Sequence, residues 1–293
     1  MSTFRRLTAS LLLLASLIAA PFSARAAQSL DTCVGFIDTL PATISTQGVW
    51  CLRHDLSTSI TSGNAITIAT NNVTIDCNDF KLGGLAAGAG TQAYGIYADS
   101  RLNATVRHCN VRGFLRGVYF IGSAGGGHVV EDNRFDGNTL YGIFAQGDGS
   151  VVRRNQVTDT GGSSTDTGNA FGIFTTYAVD VLDNTVSGVL PSADGIGNGA
   201  AYGIYTISNP SGSISGNGVR GLVKLGTGAA YGIYNVNSGR ISVRGNDVSG
   251  DGSTGGIGLA CSDSSGSARD NTISGFATAI ATCADSGGNA VIP

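Results

Sequence analysis

Few residues in this chain could do chemistry, and three of them share a spacing. Asp132, Arg154 and Asp183 each stand immediately before an asparagine, 22 and 29 residues apart. If that asparagine marks one coil of a stacked fold, the two carboxylates lie two coils apart, with backbones roughly 9–10 Å from each other. That approaches the carboxylate separation of an inverting glycosidase. Arg154 between them would depress both carboxyl pKa values rather than raise one for acid duty. Arg107, Glu131 and Arg153, with His108 beside them, also alternate in sign along the chain. These columns therefore read equally as a salt-bridge ladder, each exposed pair contributing about 0–1 kcal/mol.

The elements that must position these residues are announced by a repeat. The chain writes AAYGIYTI at Ala200–Ile207 and AAYGIYNV at Ala229–Val236. Related phrases centre on Gly95, Gly117, Gly142, Gly172, Gly203, Gly232 and a degenerate Gly256-Ile257-Gly258, spaced 22 to 31 residues apart. A second phrase, apolar-x-x-Asn-x-apolar, follows: Val130 to Asn133, Val152 to Asn155, Val181 to Asn184, Ile214 to Asn217, Val243 to Asn246 and Ala268 to Asn271. Two short strand signals per repeat, separated by Gly, Ser and Asn, predict one coil of a β-solenoid. Coils stacked about 4.8 Å apart align equivalent residues in columns. The asparagines then form a ladder, since Asn tolerates left-handed turn geometry and its amide bonds to the copies above and below.

Strand side chains alternate faces. If Ile96, Val118, Ile143, Ile173, Ile204 and Ile233 point inward, then Tyr97, Tyr119, Phe144, Phe174, Tyr205 and Tyr234 point out. They would make a strip about 24 Å long. Aromatic faces suit the apolar faces of sugars and tyrosine hydroxyls bond to theirs, so these six are the candidate carbohydrate-binding residues; the alternative is packing on each other to stabilise the sheet. Tyr94, Tyr141, Phe171, Tyr202 and Tyr231 share parity with the isoleucines and read as core or corner packing. The extra residues of long repeats fall at one corner, at 83–93, 161–170, 188–200 and 221–229, and would build one wall beside the strip.

Arg5 and Arg6, an apolar run from Leu11 to Ala20 and Ala24-Arg25-Ala26 read as an export signal over residues 1–26. Residues 27–64 are expected to form an N-terminal cap, plugged by Trp50, and 65–293 the repeat domain. No later stretch is long and apolar enough for a membrane span. Loss of three arginines with the signal leaves a net charge of about −6, so nucleic acid is an unfavourable partner. The six cysteines in the exported part imply disulfides. Cys261 and Cys283 are one minimal coil apart; Cys77 and Cys109 are one coil plus the first insertion apart; Cys33 and Cys51 remain.

These residues, over Ala65–Ile280 and especially NAITIATNNVTIDCNDFKLGG, resemble the pectin-lyase-like superfamily. The resemblance implies an all-β, right-handed parallel β-helix of about eight coils. Its catalytic motifs, including Asn-Thr-Asp, Asp-Pro-His-Asp and Arg-x-Pro-x-x-Arg, do not occur here. Gly127-His128-Val129 lacks the second glycine of Gly-His-Gly, and His54 and His108 have no motif. No metal or cofactor site is read. The expectation is a secreted or periplasmic protein that interacts with an extended polysaccharide as a binder, or as an atypical lyase or hydrolase; the alternative is a non-catalytic structural or surface protein.

Overall fold

The computed structural model describes residues 32–292 except 167, 193–196, 208–210, 237–239, 253–254 and 264–265. The expected export signal lies outside the described residues. From Cys33 onward the chain is a right-handed parallel β-solenoid. Each coil passes through three strands, exemplified by Tyr94–Asp99 in sheet 1, Thr105–Arg107 in sheet 2 and Asn110–Arg112 in sheet 3. The sheets hold ten, eleven and ten strands respectively, every pairing within them parallel and between consecutive coils. Between Ala65 and Ile280 this makes about eight turns, as the repeat predicts. The only helix among the described residues is a single 3₁₀ turn at Leu85–Ala87.

The core is built from three aliphatic columns. Ile96, Val118, Ile143, Ile173, Ile204 and Ile233 pair in register up sheet 1 and are all buried. Val106, Val130, Val152 and Val181 do the same in sheet 2, and Val157, Val186, Val219 and Val248 in sheet 3. Phe114, Phe120 and Phe135 are the largest side chains buried completely within it.

The repeated glycine has a steric cause. Gly203 and Ile204 both point inward, and a Cβ on Gly203 would lie 2.6 Å from the Gly232 carbonyl and collide with Cγ1 of Val219. The same clash, each time with the sheet 3 valine of its own coil, awaits a Cβ at Gly142, Gly172 and Gly232. The phrase is therefore a locking point between sheets 1 and 3, where only glycine lets the strand sit close to the valine column.

The asparagine ladder is fully bonded. Oδ1 of Asn184 accepts the backbone N–H and the side-chain amide of Asn155 at 3.0 and 2.9 Å, while its own amide donates to Val152 O and to Oδ1 of Asn217. The pattern starts at Cys109, whose N–H reaches Asn133, and ends at Asn289. The left-handed residue is not the asparagine but the one before it: His108, Asp132, Arg154 and Asp183 have φ of 51°, 55°, 52° and 56°. That correction has a physical reason. The asparagine amide must point inward to reach its neighbours, so the preceding residue makes the turn.

The sheets also begin before Ala65. Gly35–Phe36, Ala42–Ile44, Gly48–Cys51 and Leu56–Ser57, in the segment expected to form the N-terminal cap, already pair within them. Trp50 lies there, partly buried against the core, with its ring over Gly35 and Nε1 donating to Thr46 O at 2.9 Å. The disulfides are Cys33–Cys51, Cys77–Cys109 and Cys261–Cys283, with Cα separations of 5.8, 4.7 and 4.9 Å. Two match the pairings expected from the repeat and the third joins the two cysteines that remained, and three bridges suit an oxidising environment.

Candidate functional site

Sheet 1 carries two aromatic columns on its outer face. Tyr97, Tyr119, Phe144, Phe174, Tyr205 and Tyr234 stand in register and half-buried, with successive ring centroids 5.7, 5.0, 4.7, 4.9 and 5.6 Å apart. Beside them lie Tyr94, Tyr141, Phe171, Tyr202 and Tyr231, the residues expected as core or corner packing. They are outside it because Gly and Ile are both inward, which interrupts the alternation once per strand and leaves an aromatic facing outward on each side. Tyr141, Phe171, Tyr202 and Tyr231 stack with interplanar angles of 15°, 6° and 4°. Edge-to-face contacts tie the columns together, as between Tyr202 and Tyr205 at 4.9 Å. The sixth place in the second column belongs to Arg116, paired with Tyr94 on one side and Tyr141 on the other.

The strip thus spans six coils and ends at Asn64 and Thr67 below and Ile257 and Ala260 above. Burial raises the pKa of Tyr141 and Tyr205, and pushes that of Tyr202 up to about 12. These hydroxyls stay protonated at neutral pH, and those of Tyr205 and Tyr234 have no protein hydrogen-bond partner among the described residues. The strip therefore offers apolar faces and free hydroxyl donors together.

The wall beside it is partly sheet rather than loop. Gln156–Ser163 and Thr185–Ser192 continue sheet 3 around the corner, pairing Thr160 with Val189 and Ser163 with Ser192. The insertion at 83–93 bends across two short corners to meet the one at 161–170. Gln92 Nε2 donates to Thr165 Oγ1 at 2.6 Å and Ser164 N–H to Ala89 O at 3.1 Å. Leu85, Ala89, Gly113, Gly137 and Thr139 line a cavity of about 250 Å³ along this span.

The charged columns occupy a different corner, the turn between sheets 2 and 3. Arg154 holds Asp132 in a two-pronged pair, Nε to Oδ1 at 2.8 Å and a terminal nitrogen to Oδ2 at 2.7 Å, and reaches Glu131 at 2.9 Å. Arg153 also pairs with Glu131, and Arg107 and His108 with Asp76. Hydrogen bonding from Arg154 holds the Asp132 carboxyl below the usual carboxylate range. Arg154 is not paired with Asp183, which is exposed one coil further on. What the structure brings together here is a ladder of paired charges on adjacent coils. His128, by contrast, is buried, its Nδ1 accepting the Ala104 N–H at 3.2 Å. Among the described residues no cluster of His, Cys, Asp and Glu is arranged to hold a metal ion, and no helix is long and apolar enough to cross a membrane.

The family described as right handed beta helix region matches residues 57–248, and the chain belongs to it. Among solved structures, the Dettilon tailspike protein is similar at 16% identity and a TM-score of 0.54, over 88% of this chain and 60% of that one. The A-module of the Azotobacter vinelandii mannuronan C-5 epimerase AlgE6 is similar at 13% identity and a TM-score of 0.54, over 88% of this chain and 80% of that one. The chain thus spans 60% of the tailspike's length. No curated protein matches it. Likeness at this identity shows the fold alone.

Proposed function

We propose that the chain binds an extended polysaccharide along the aromatic strip of sheet 1. The observation that carries this reading is the pair of outward columns, eleven rings, all but the buried Phe171 half-buried, that run along six coils beside a one-sided wall. An elongated ligand laid along the solenoid axis meets the same chemistry at each coil, an apolar face with a hydroxyl beside it. The fold shared with the mannuronan epimerase module supports the reading by analogy. We assign binding rather than cleavage, because Asp132, Arg154 and Asp183 stand at the turn between sheets 2 and 3 and not on the strip.

Replacing Tyr205 and Tyr234 together by Ala tests it. The expected result is at least tenfold weaker binding across a polysaccharide panel, on the order of 1–3 kcal/mol for two stacking rings. Circular dichroism should show an unchanged β-solenoid. Unchanged affinity, with or without a drop in melting temperature, would leave the rings a structural role only.

A further inference from the structure

Arg116 interrupts a column that is otherwise aromatic. Its guanidinium carbon lies 4.1 Å from the ring centroid of Tyr119, 4.9 Å from that of Tyr94 and 5.0 Å from that of Tyr141. Three rings therefore hold one cation by the attraction of their faces. Most guanidinium groups elsewhere in the described fold are spoken for: Arg53, Arg107, Arg112, Arg134, Arg153, Arg154 and Arg269 each have a carboxylate within ion-pair distance. Arg116 has none among the described residues, and its Nε is buried without a hydrogen-bond partner. It is a charge that is positioned but not neutralised, set among surfaces that suit sugars.

Its surroundings limit what it can take. Asp99 closes one margin, within 3.5 Å of the Tyr97 hydroxyl. The charge of Asp166, in the wall, acts on Tyr141. Carboxylates thus stand near two rings of the strip, Tyr97 and Tyr141, and the other places in both columns are neutral rings. A polymer with an acid on every unit would find one partner and several uncompensated or repelling positions. A neutral polymer would leave the arginine unused.

Resting on the binding reading above, we propose that Arg116 selects a mostly neutral glycan that bears an isolated oxyanion substituent, a carboxylate or a sulfate ester, with that group seated on the exposed edge of the guanidinium. Charge-assisted bonds to a planar guanidinium are stronger than neutral ones and favour such a group over a hydroxyl.

Calorimetric titration with four sets of soluble oligosaccharides tests this: neutral chains, the same chains with one uronic acid, the same chains with one sulfate, and homopolymeric uronates. The wild-type protein should bind at least one singly acidic set about tenfold more tightly than the neutral set, and more tightly than the homopolyuronates. The uronate and sulfate arms identify which oxyanion is read. The preference should shrink with added salt. Arg116→Met should abolish it and Arg116→Lys should keep part of it, with melting curves confirming that both variants fold. A preference that survives in Arg116→Met, or a wild-type protein that ranks the neutral set or the homopolyuronates first, overturns the assignment of Arg116 but leaves the strip. Failure of all four sets to bind, or neutral binding untouched by Tyr205→Ala with Tyr234→Ala, overturns the strip itself and this inference with it.

Discussion

The side-chain amide of Asn155 donates to Oδ1 of Asn184 at 2.9 Å, and the backbone N–H of Asn155 reaches the same oxygen at 3.0 Å. One buried oxygen thus satisfies two donors of the coil below, while the Asn184 amide satisfies Val152 O and the coil above. Replacing Asn184 by Ala strips partners from several buried polar groups, each worth about 1–3 kcal/mol when left unsatisfied. Chemical denaturation should show a loss of at least about 3 kcal/mol for Asn184→Ala and a clearly smaller one for Asn289→Ala, where the ladder ends. Equal losses would show that the ladder does not act as a continuous chain.

Gly203→Ala tests the locking point. The added methyl meets Val219 and the Gly232 carbonyl, and overpacking of this kind costs about 1–3 kcal/mol. Gly218→Ala, where a Cβ would meet open space, serves as the control and should change the melting temperature little. Similar effects from both would remove the steric account of the repeated glycine.

Much of this arrangement was legible in the repeat. The isoleucines after each glycine pair residue for residue, as Ile173 does with Ile204 and Ile204 with Ile233, because columns in a solenoid inherit their register from the repeat. Two of the disulfide pairs followed from the same register. The outward face of Tyr94 and Tyr202 was not legible. Alternation assigns them inward, and the reason they are not is the closeness of Gly203 to Val219, a contact between residues sixteen positions apart that no local pattern records. The left-handed turn was likewise assigned one residue late, since Asp132 and Asn133 tolerate that conformation equally well as residue types. Arg116 lay in the repeat phrase from the outset, but its lack of a carboxylate is a property of the folded surface.

His128 should make the fold acid-sensitive. Burial pushes its pKa down from 6.5 to about 4, so between these values the unfolded chain binds the proton that the folded chain resists. Stability is therefore held above about pH 6.5 and lost as the pH falls toward 4, by on the order of 3 kcal/mol. Arg154 keeps Asp132 ionised to lower pH, so that pair does not account for a loss in this window. Denaturation curves at about pH 7, 5.5 and 4 should show the decline, and His128→Gln should flatten it.

Replacing Cys261 and Cys283 by Ser should loosen one end only. The strand Thr278–Ala281 pairs with a single neighbour and is incompletely buried, and the bridge just beyond it adds a covalent fastening. Hydrogen exchange should quicken there, by up to about 2–4 kcal/mol in opening free energy, while the central strands Ala170–Thr176 and Ala201–Ile207 keep their protection. Uniform acceleration along the chain would mean that the solenoid opens as one unit instead of fraying.

The single tryptophan sits in the first coils, whereas eight of the nine tyrosines lie in the stacked strip, with Tyr202 and Tyr231 centroids 4.9 Å apart. Nature has in this way separated two optical labels along one rod. Emission excited selectively through Trp50 reports the state of the N-terminal end, and the absorption and energy transfer of closely spaced phenols report the strip. A ligand that settles on the strip should change the phenol signal and leave the indole signal still, while fraying at the N-terminus should do the reverse, so an unlabelled sample can tell occupancy from unfolding in one cuvette.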